Sequence, residues 1–400
     1  MSIRPILSAL LRNKTGAILV AVQIALTLAV VVNSIYIIVQ RIEKIGRPTG
    51  IDENNIFMVN TQNYARNFPF EATIREDLAY LNGLPGVVAA TTINAIPLSG
   101  GGSSTAYFNA PGGKGEGVPG NYFEVTERGI DALGAHLSSG RGFSAAVIRP
   151  PVQRTSEFVP EIIVTRDFAK QLFPDTEPLG KTLYSQLSQP ARIVGIIDHM
   201  HGSWTGWDKV GNVVLHPVTS CCNRISYLVR TKPGDRDRLM PIVEAKLIKT
   251  SGRVVNSIRT LSFYKDRSYS DDRNMAIFLS VVIVLLIAIA SLGIFGLATF
   301  NVQSRTKQIG TRRAIGARRA DIVQYFLIEN WLITTSGIVG GCVLALAVGY
   351  WLSVHFELPR LDLYYLVGGV FGLWAIGQLA TLLPARRASR VPPAVATRTV

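Results

Sequence analysis

Charge is missing from four long parts of this chain of 400 residues, and the residue types that usually carry chemistry are sparse elsewhere. Three cysteines, Cys221, Cys222 and Cys342, cannot build a disulfide framework, because a bridge between the neighbours Cys221 and Cys222 is sterically awkward. Cys342 lies inside an uncharged stretch, where a small apolar thiol packs between helices. The five histidines are scattered, and His199 and His201, the nearest pair, have no cysteine within fifteen residues, so no metal site is expected. There is no His-Glu-x-x-His, no Gly-x-Ser-x-Gly elbow and no kinase signature, and hence no expectation of catalytic residues or of an enzyme.

The absence of Asp, Glu, Lys and Arg from 17–39, 276–300, 331–354 and 363–383 is the most informative of these gaps. At about 1.5 Å per helical residue, each stretch covers the roughly 30 Å hydrocarbon core of a bilayer once. The expected architecture is therefore a membrane protein with four transmembrane helices, one before and three after a large α+β domain. Lys and Arg distribution sets the orientation. Arg4, Arg12 and Lys14 precede the first span. Arg305, Lys307, Arg312, Arg313, Arg318 and Arg319 stand against only Asp321 between the second and third, and Arg386, Arg387, Arg390 and Arg398 follow the fourth. Block 40–275 is nearly balanced, with 27 basic and 23 acidic residues. Most of the net +14 thus belongs to three short cytoplasmic pieces, reporting topology and anionic headgroups rather than nucleic acid. The expectation is a multi-pass protein of the bacterial inner membrane, with both termini cytoplasmic and the large domain periplasmic. A cleaved signal peptide is the poorer reading of the N-terminus: the apolar run is too long, and no Ala-x-Ala-like site closes it at Val32-Asn33-Ser34.

Within 40–275 the two ends look alike. Ile56 to Asn60 reads as a strand, Phe70 to Asn82 as a helix with Ile74, Leu78 and Leu81 on one face, and Val87 to Ile96 as a second strand. The order recurs as a strand at Ile225 to Arg230, a helix lined by Leu239, Ile242, Val243 and Leu247, and a strand at Val254 to Leu261. Segments 40–97 and 222–270 are expected to pair as halves of a split strand-helix-strand module, with 98–221 as an inserted mixed subdomain. Inside the insert, Glu161 to Thr165 and Arg192 to Ile197 read as strands and Arg166 to Phe173 as a helix ended by Pro174. The glycine-rich Pro97 to Ser104 suits a flexible linker. Gly180-Lys181-Thr182 has the ending of a phosphate-binding loop, but Asp175 stands where its first glycine belongs and Pro178 interrupts it, so a turn into a strand is expected.

Two groups of residues carry a family resemblance. Arg305-Thr306-Lys307-Gln308-Ile309-Gly310-Thr311-Arg312-Arg313-Ala314-Ile315-Gly316-Ala317-Arg318-Arg319, continuing through Asp321-Ile322 to Phe326-Leu327-Ile328-Glu329, resembles the signature after the second span of MacB-like, FtsX-like ABC transporter permeases. Asn121-Tyr122-Phe123, Gly140-Arg141-Gly142-Phe143, Phe168 to Pro174, Pro178-Leu179-Gly180-Lys181 and Ile193 to Ile197 follow in the order of that family's periplasmic core domain. Two departures stand out: Gln308 replaces the usual Glu, and the tail reads Pro393-Ala394-Val395-Ala396-Thr397-Arg398 instead of a Pro-x-x-Ala-Leu-Arg-like ending.

The resemblance implies a permease that passes the closing stroke of a cytoplasmic ATPase dimer along its helices to an outer domain handling cargo for efflux or secretion. Because only sixteen residues precede the first span, the ATPase, with its ATP and Mg, is expected on a separate chain; this chain is expected to bind no cofactor. Residues 1–16 form an expected amphipathic helix with Ile6, Leu7, Leu10 and Leu11 on one side. The spans are placed at 17–39, 276–300, 323–354 and 363–385, with a coupling loop at 301–322, a short periplasmic loop at 355–362 and a tail at 386–400. Arg305, Lys307, Ile309, Gly310, Arg312, Arg313, Gly316, Arg318 and Arg319 are the candidate ATPase-coupling residues, and reversal of Arg312 and Arg313 to Glu is expected to uncouple hydrolysis. Glu329 is expected to find a neighbouring cation. Ser291, Gly293, Gly296, Gly337, Gly341 and Ala345 suit close helix contact. Other expected partners are a second permease subunit, identical or related, a periplasmic adaptor, an outer-membrane duct and the bilayer itself. Lipoprotein release and signalling to a periplasmic enzyme are the alternatives that the same layout serves. A receptor would need a cytoplasmic output module, and no cytoplasmic segment is long enough for one.

Overall fold

Strand Ile56–Asn63 is apolar on both faces, and its double-sided burial organises the domain between the helices. The computed structural model describes residues 14–66, 68–113, 116–150, 159–220, 224–356 and 360–392. The expected N-terminal helix with Ile6, Leu7, Leu10 and Leu11, the cations Arg4 and Arg12, the pair Cys221–Cys222 and the tail from Pro393 to Arg398 lie outside the described residues. In chain order the elements are α1 (Lys14–Gly46), β1 (Ile56–Asn63), α2 (Phe70–Gly83), β2 (Val87–Ile93), β3 (Ser104–Tyr107), β4 (Val118–Val125), α3 (Gly129–Leu133), β5 (Leu137–Gly140), β6 (Glu161–Thr165) and α4 (Arg166–Leu172). They continue with β7 (Thr182–Tyr184), β8 (Pro190–Ile197), β9 (Val213–Pro217), β10 (Arg224–Thr231), α5 (Arg236–Leu247), β11 (Arg253–Thr260), α6 (Leu261–Ser268), α7 (Ser270–Ser304), α8 (Thr306–Ala314), α9 (Arg319–Phe356) and α10 (Leu363–Ala388). Two compact units result: Arg47–Ser270, and the helical unit formed from Met1–Gly46 and Asp271–Val400.

The first unit contains the split module. Its four-stranded antiparallel sheet has the order β11-β1-β10-β2, so strands of the two halves alternate and neither half makes the sheet alone. Phe57, Val59, Tyr227 and Val229 face α2 and α5, whose Ile74, Leu81, Leu239, Val243 and Leu247 recur at helical spacing and are buried against them. Ile56, Met58 and Leu228, on the other face, pack on Phe123, Val125, Leu133, Ile163, Ile197 and Leu215 of the insert. The insert is a mixed seven-stranded sheet, β3-β4-β9-β6-β8-β5 with β7 beside β8, parallel only at β4–β9 and β6–β8. Helix α4 covers its second face through Phe168, Ala169 and Leu172. Gly180 turns the chain at φ 80° into β7, as the broken phosphate-loop pattern suggests.

One expectation fails here. Pro97 to Ser104 is not a flexible linker: Leu98 is buried, its N–H donates to Gly202 O at 3.1 Å, and Gly100 N–H donates to Ser203 O at 2.8 Å. A Cβ on Gly102 would come within 2.5 Å of Ser203 Oγ, so glycine serves close approach rather than looseness.

Among the described residues, the helical unit holds four helices long and apolar enough to cross a membrane: α1, α7, α9 and α10, of 33, 35, 38 and 26 residues. Gly337, Gly341 and Ala345 turn toward α1. A Cβ on Gly337 would lie 2.7 Å from Ala21 O, one on Gly341 would lie 2.9 Å from Leu28 Cβ, and Asn33 Nδ2 reaches Ala345 O at 3.1 Å. Gly293 meets Gln23 in the same way, whereas Gly296 meets nothing within 4 Å. Cys342 is half-buried in this packing. The segment expected as a coupling loop at 301–322 is instead largely helical: α7 continues to Ser304, α8 follows almost at once, and α9 begins at Arg319.

Candidate functional site

Helix α8 is the short amphipathic element on which the sequence-derived candidates converge. Arg305 breaks the helix before it, at φ −110° and ψ 15°. Gly316 ends the turn after it at φ 101°, donating to Arg313 O at 3.2 Å while Ala317 N–H donates to Arg312 O at 3.0 Å. A side chain at Gly316 would be strained whatever its size, which explains a glycine at the end of this helix. Asp321 then accepts from Arg318 N–H at 2.8 Å and starts α9, so the single carboxylate in the segment is used as a cap.

Ile309 and Gly310 are the buried face of α8. Ile309 packs with Ile322, Tyr325 and Phe326 of α9 and with Ala385 and Ala388 of α10. This apolar contact lets nine residues of poor helical character hold a helix that would be marginal alone.

The cations divide into two groups. Arg305 Nη1 donates to Glu329 Oε2 at 3.0 Å and to Tyr325 OH at 3.0 Å, with its side chain only 16% exposed. Arg312 lies over the Tyr325 ring, 4.9 Å from its centroid, and Arg313 donates to Ala317 O at 3.2 Å. These three hold the hairpin together. Lys307, Arg318 and Arg319 are exposed, as is Ile315, which is 83% exposed at the tip. The nine candidates therefore serve as anchors (Arg305, Ile309, Gly310, Gly316), as partly engaged cations (Arg312, Arg313) and as a free cationic surface (Lys307, Arg318, Arg319). Tyr325, where Arg305 and Arg312 meet, was missed by sequence reasoning. Its signal is the run Ile322, Tyr325, Phe326, Glu329, one helical face at the i, i+3, i+4, i+7 spacing.

A second charged junction lies where α1 and α7 run past their apolar stretches. Asp272, nearly buried, pairs with Arg41 and, at 2.7 Å, with Lys44. One carboxylate thus joins the ends of both helices.

In unit 47–270, one groove lies between α2 and the insert and another on the face of the first sheet. The first, of about 600 Å³, is lined by Ile74, Leu78, Arg75, Glu127 and Arg128; the second, of about 530 Å³, is lined mainly by amides and hydroxyls. Glu124 lies behind Ser220 of the second groove, and burial raises its pKa while the hydrogen bond from Ser220 opposes that rise. Burial also pushes His216 and His201 down to about 4. Among the described residues no group of three or more His, Cys, Asp and Glu side chains is placed to hold a metal ion.

Residues 280–393 match the family model described as FtsX-like permease C-terminal. Over 312 residues the chain is 25% identical to the macrolide export ATP-binding/permease protein MacB of Neisseria gonorrhoeae, covering 75% of this chain and 46% of that protein. Over 286 residues it is 28% identical to the MacB of Bartonella quintana, covering 68% and 41%. The crystal structure of the periplasmic region of MacB from Actinobacillus actinomycetemcomitans aligns with a TM-score of 0.34 at 16% identity, covering 55% of this chain and 94% of that one. The chain spans just under half the length of the curated relatives it matches.

Proposed function

We propose that this chain, an FtsX-like permease with MacB proteins among its homologues, is the membrane subunit of an ABC-type exporter that carries an ATP-driven conformational change to an outer domain handling cargo. The observation behind this reading is helix α8, bolted to α9 by Arg305, Ile309 and Arg312 while Lys307, Arg318 and Arg319 stay exposed. A rigidly held cationic hairpin transmits a push; a loose one would absorb it. The excess of Lys and Arg in this hairpin supports placing it in the cytoplasm, where an acidic surface of an ATPase could dock on it. Hydrolysis of ATP, with Mg, belongs in this reading to the ATPase dimer.

Motion at α8 passes directly into α7 and α9, which border it in sequence. Close packing of Gly337 and Gly341 on α1 couples α9 to the first helix, and Asp272 ties the far ends of α1 and α7. Both helices that lead to unit 47–270 are thereby engaged. A second permease subunit would complete the assembly, with an adaptor and an outer-membrane duct receiving the cargo.

The test uses the assembled complex in lipid nanodiscs. Reversing Arg318 and Arg319 to Glu should abolish cargo-stimulated ATP hydrolysis while leaving the melting temperature of the complex's permease unchanged. Wild-type stimulation in that variant would exclude the hairpin as the coupling element. Arg312 and Arg313 are the poorer choice for reversal, since their loss would also disturb the hairpin itself.

A further inference from the structure

The face of the first sheet that meets the insert changes character along its length. On β1 the side chains of that face run Ile56, Met58, Asn60, and on β10 they run Leu228, Ser226, Arg224: apolar where the insert covers them, polar beyond its edge. Register brings Ile93, Ser226, Asn60 and Ser257 into one row across all four strands. Asn60 holds the row in place, donating from Nδ2 to Ser257 Oγ and Tyr264 OH, both at 3.0 Å, and accepting at Oδ1 from Ser226 Oγ at 2.7 Å. Ser226 has therefore committed its hydrogen and offers lone pairs, while Ser257 accepts and keeps its hydrogen to donate.

This row lies in the groove of about 530 Å³, a volume that suits a small ligand. The opposite wall is the segment carrying Ser99, Gly101, Gly102 and Ser103, fixed by the hydrogen bonds of Leu98 and Gly100 to Gly202 and Ser203. Both walls are thus formed before any ligand arrives, which spares the ordering cost of closing a loose loop. The lining includes three asparagines and five serines, groups that donate and accept at once, as vicinal ring hydroxyls do. Arg224, exposed at the rim, is the one charged side chain among the described lining residues, and none of them is a carboxylate. A cationic ligand would meet Arg224 with nothing to offset it.

We infer that this groove binds an anionic saccharide, its carboxylate on Arg224 and its ring hydroxyls on the Ser226–Asn60–Ser257 row. The site stands on its own geometry and does not depend on the export reading, so it is tested without ATP or any ATPase. The full chain in nanodiscs is titrated calorimetrically with a short glucuronic acid oligomer, the glucose oligomer of the same length and the corresponding glucosamine oligomer. The glucuronic acid oligomer should bind roughly tenfold or more tighter than the glucose oligomer, the size expected for one hydrogen bond to a charged group, and the glucosamine oligomer should bind weakest. Arg224→Gln should erase the preference while leaving the affinity for the glucose oligomer unchanged. Ser257→Ala should weaken both, and Arg75→Gln, in the other groove, should change neither. Circular dichroism confirms that each variant is folded. Failure of the glucuronic acid oligomer to bind at millimolar concentration, equal binding of all three, or a preference that survives Arg224→Gln would overturn the inference.

Discussion

Arg305 and Glu329 meet at 3.0 Å, joining the residue before α8 to the first part of α9, just ahead of its uncharged stretch, with the Glu329 side chain 3% exposed. An ion pair this enclosed is costly to break from one side, because the remaining charge is left without a partner. Arg305→Met should destabilise the helical unit by about 3 kcal/mol, whereas Arg305→Met with Glu329→Met should recover most of that loss. Trp331 and Trp374, whose rings are 5.5 Å apart in the helical unit, supply a native fluorescence probe for thermal unfolding. If the double variant were as unstable as the sum of the single ones, the pair would not be a coupled unit.

Glycines of the apolar helices separate by contact, Gly337 on α9 and Gly296 on α7. Gly337→Ala would place a methyl 2.7 Å from the backbone oxygen of Ala21 and 2.9 Å from Ile24 Cβ, forcing α1 and α9 apart at a cost of about 1–3 kcal/mol. Gly296→Ala meets nothing within 4 Å and should be neutral or stabilising by up to about 1 kcal/mol, since alanine favours a helix. Melting temperatures of the two variants in one detergent make the comparison. Equal losses would mean that residue 337 does not sit at a close helix contact.

Much of this architecture is legible in the residues. The strand-helix-strand halves could be read because α2 and α5 keep apolar residues at helical spacing, and because β1 and β10 carry short apolar runs rich in branched and aromatic residues. β4 could not, because Val118–Val125 begins Val-Pro-Gly-Asn, a turn-like composition that only its neighbours β3 and β9 hold extended. Helix α8 escaped for a related reason: Ile309 is the apolar residue that docks it, and the partners Ile322, Tyr325 and Ala385 come from later in the chain. The cations of the candidate site were visible as composition. Which of them are committed and which are free depends on distances to Tyr325 and Glu329, and no local pattern contains those.

Asp272 should behave as a clamp between α1 and α7. Asp272→Asn removes the carboxylate that answers Arg41 and Lys44 and leaves those two cations side by side. Because both cations are partly exposed, the loss should be about 1–3 kcal/mol, below the range for fully buried pairs. Hydrogen exchange by mass spectrometry should rise in 40–46 and 270–275 of the variant and stay unchanged around Gly337. Asp272→Glu should restore most of the protection. Unchanged exchange at both helix ends would show that the clamp holds nothing.

His216 gives unit 47–270 a defined acid sensitivity. Its ring stacks on Tyr122 at 5.1 Å, and Nε2 lies 3.0 Å from Tyr107 OH, all within a buried site that holds its pKa near 4 against an ordinary value of 6.5. Above pH 6.5 folded and unfolded chains both carry a neutral ring, and the native state has its full stability. Between pH 6.5 and 4 the unfolded chain takes up a proton that the folded one refuses, so stability falls by about 1.4 kcal/mol per pH unit for each such histidine. His201, also held near 4, by burial first and then by His199, Arg47 and Lys265, contributes in the same direction. His216→Gln keeps an acceptor for Tyr107 and removes one of the two titrations. Urea unfolding followed through Trp204 and Trp207 should therefore show a smaller loss of stability per pH unit than the native chain in that window, at the cost of some stability at pH 7 from the lost ring stacking. A slope that does not change would place the acid sensitivity in the carboxylates instead.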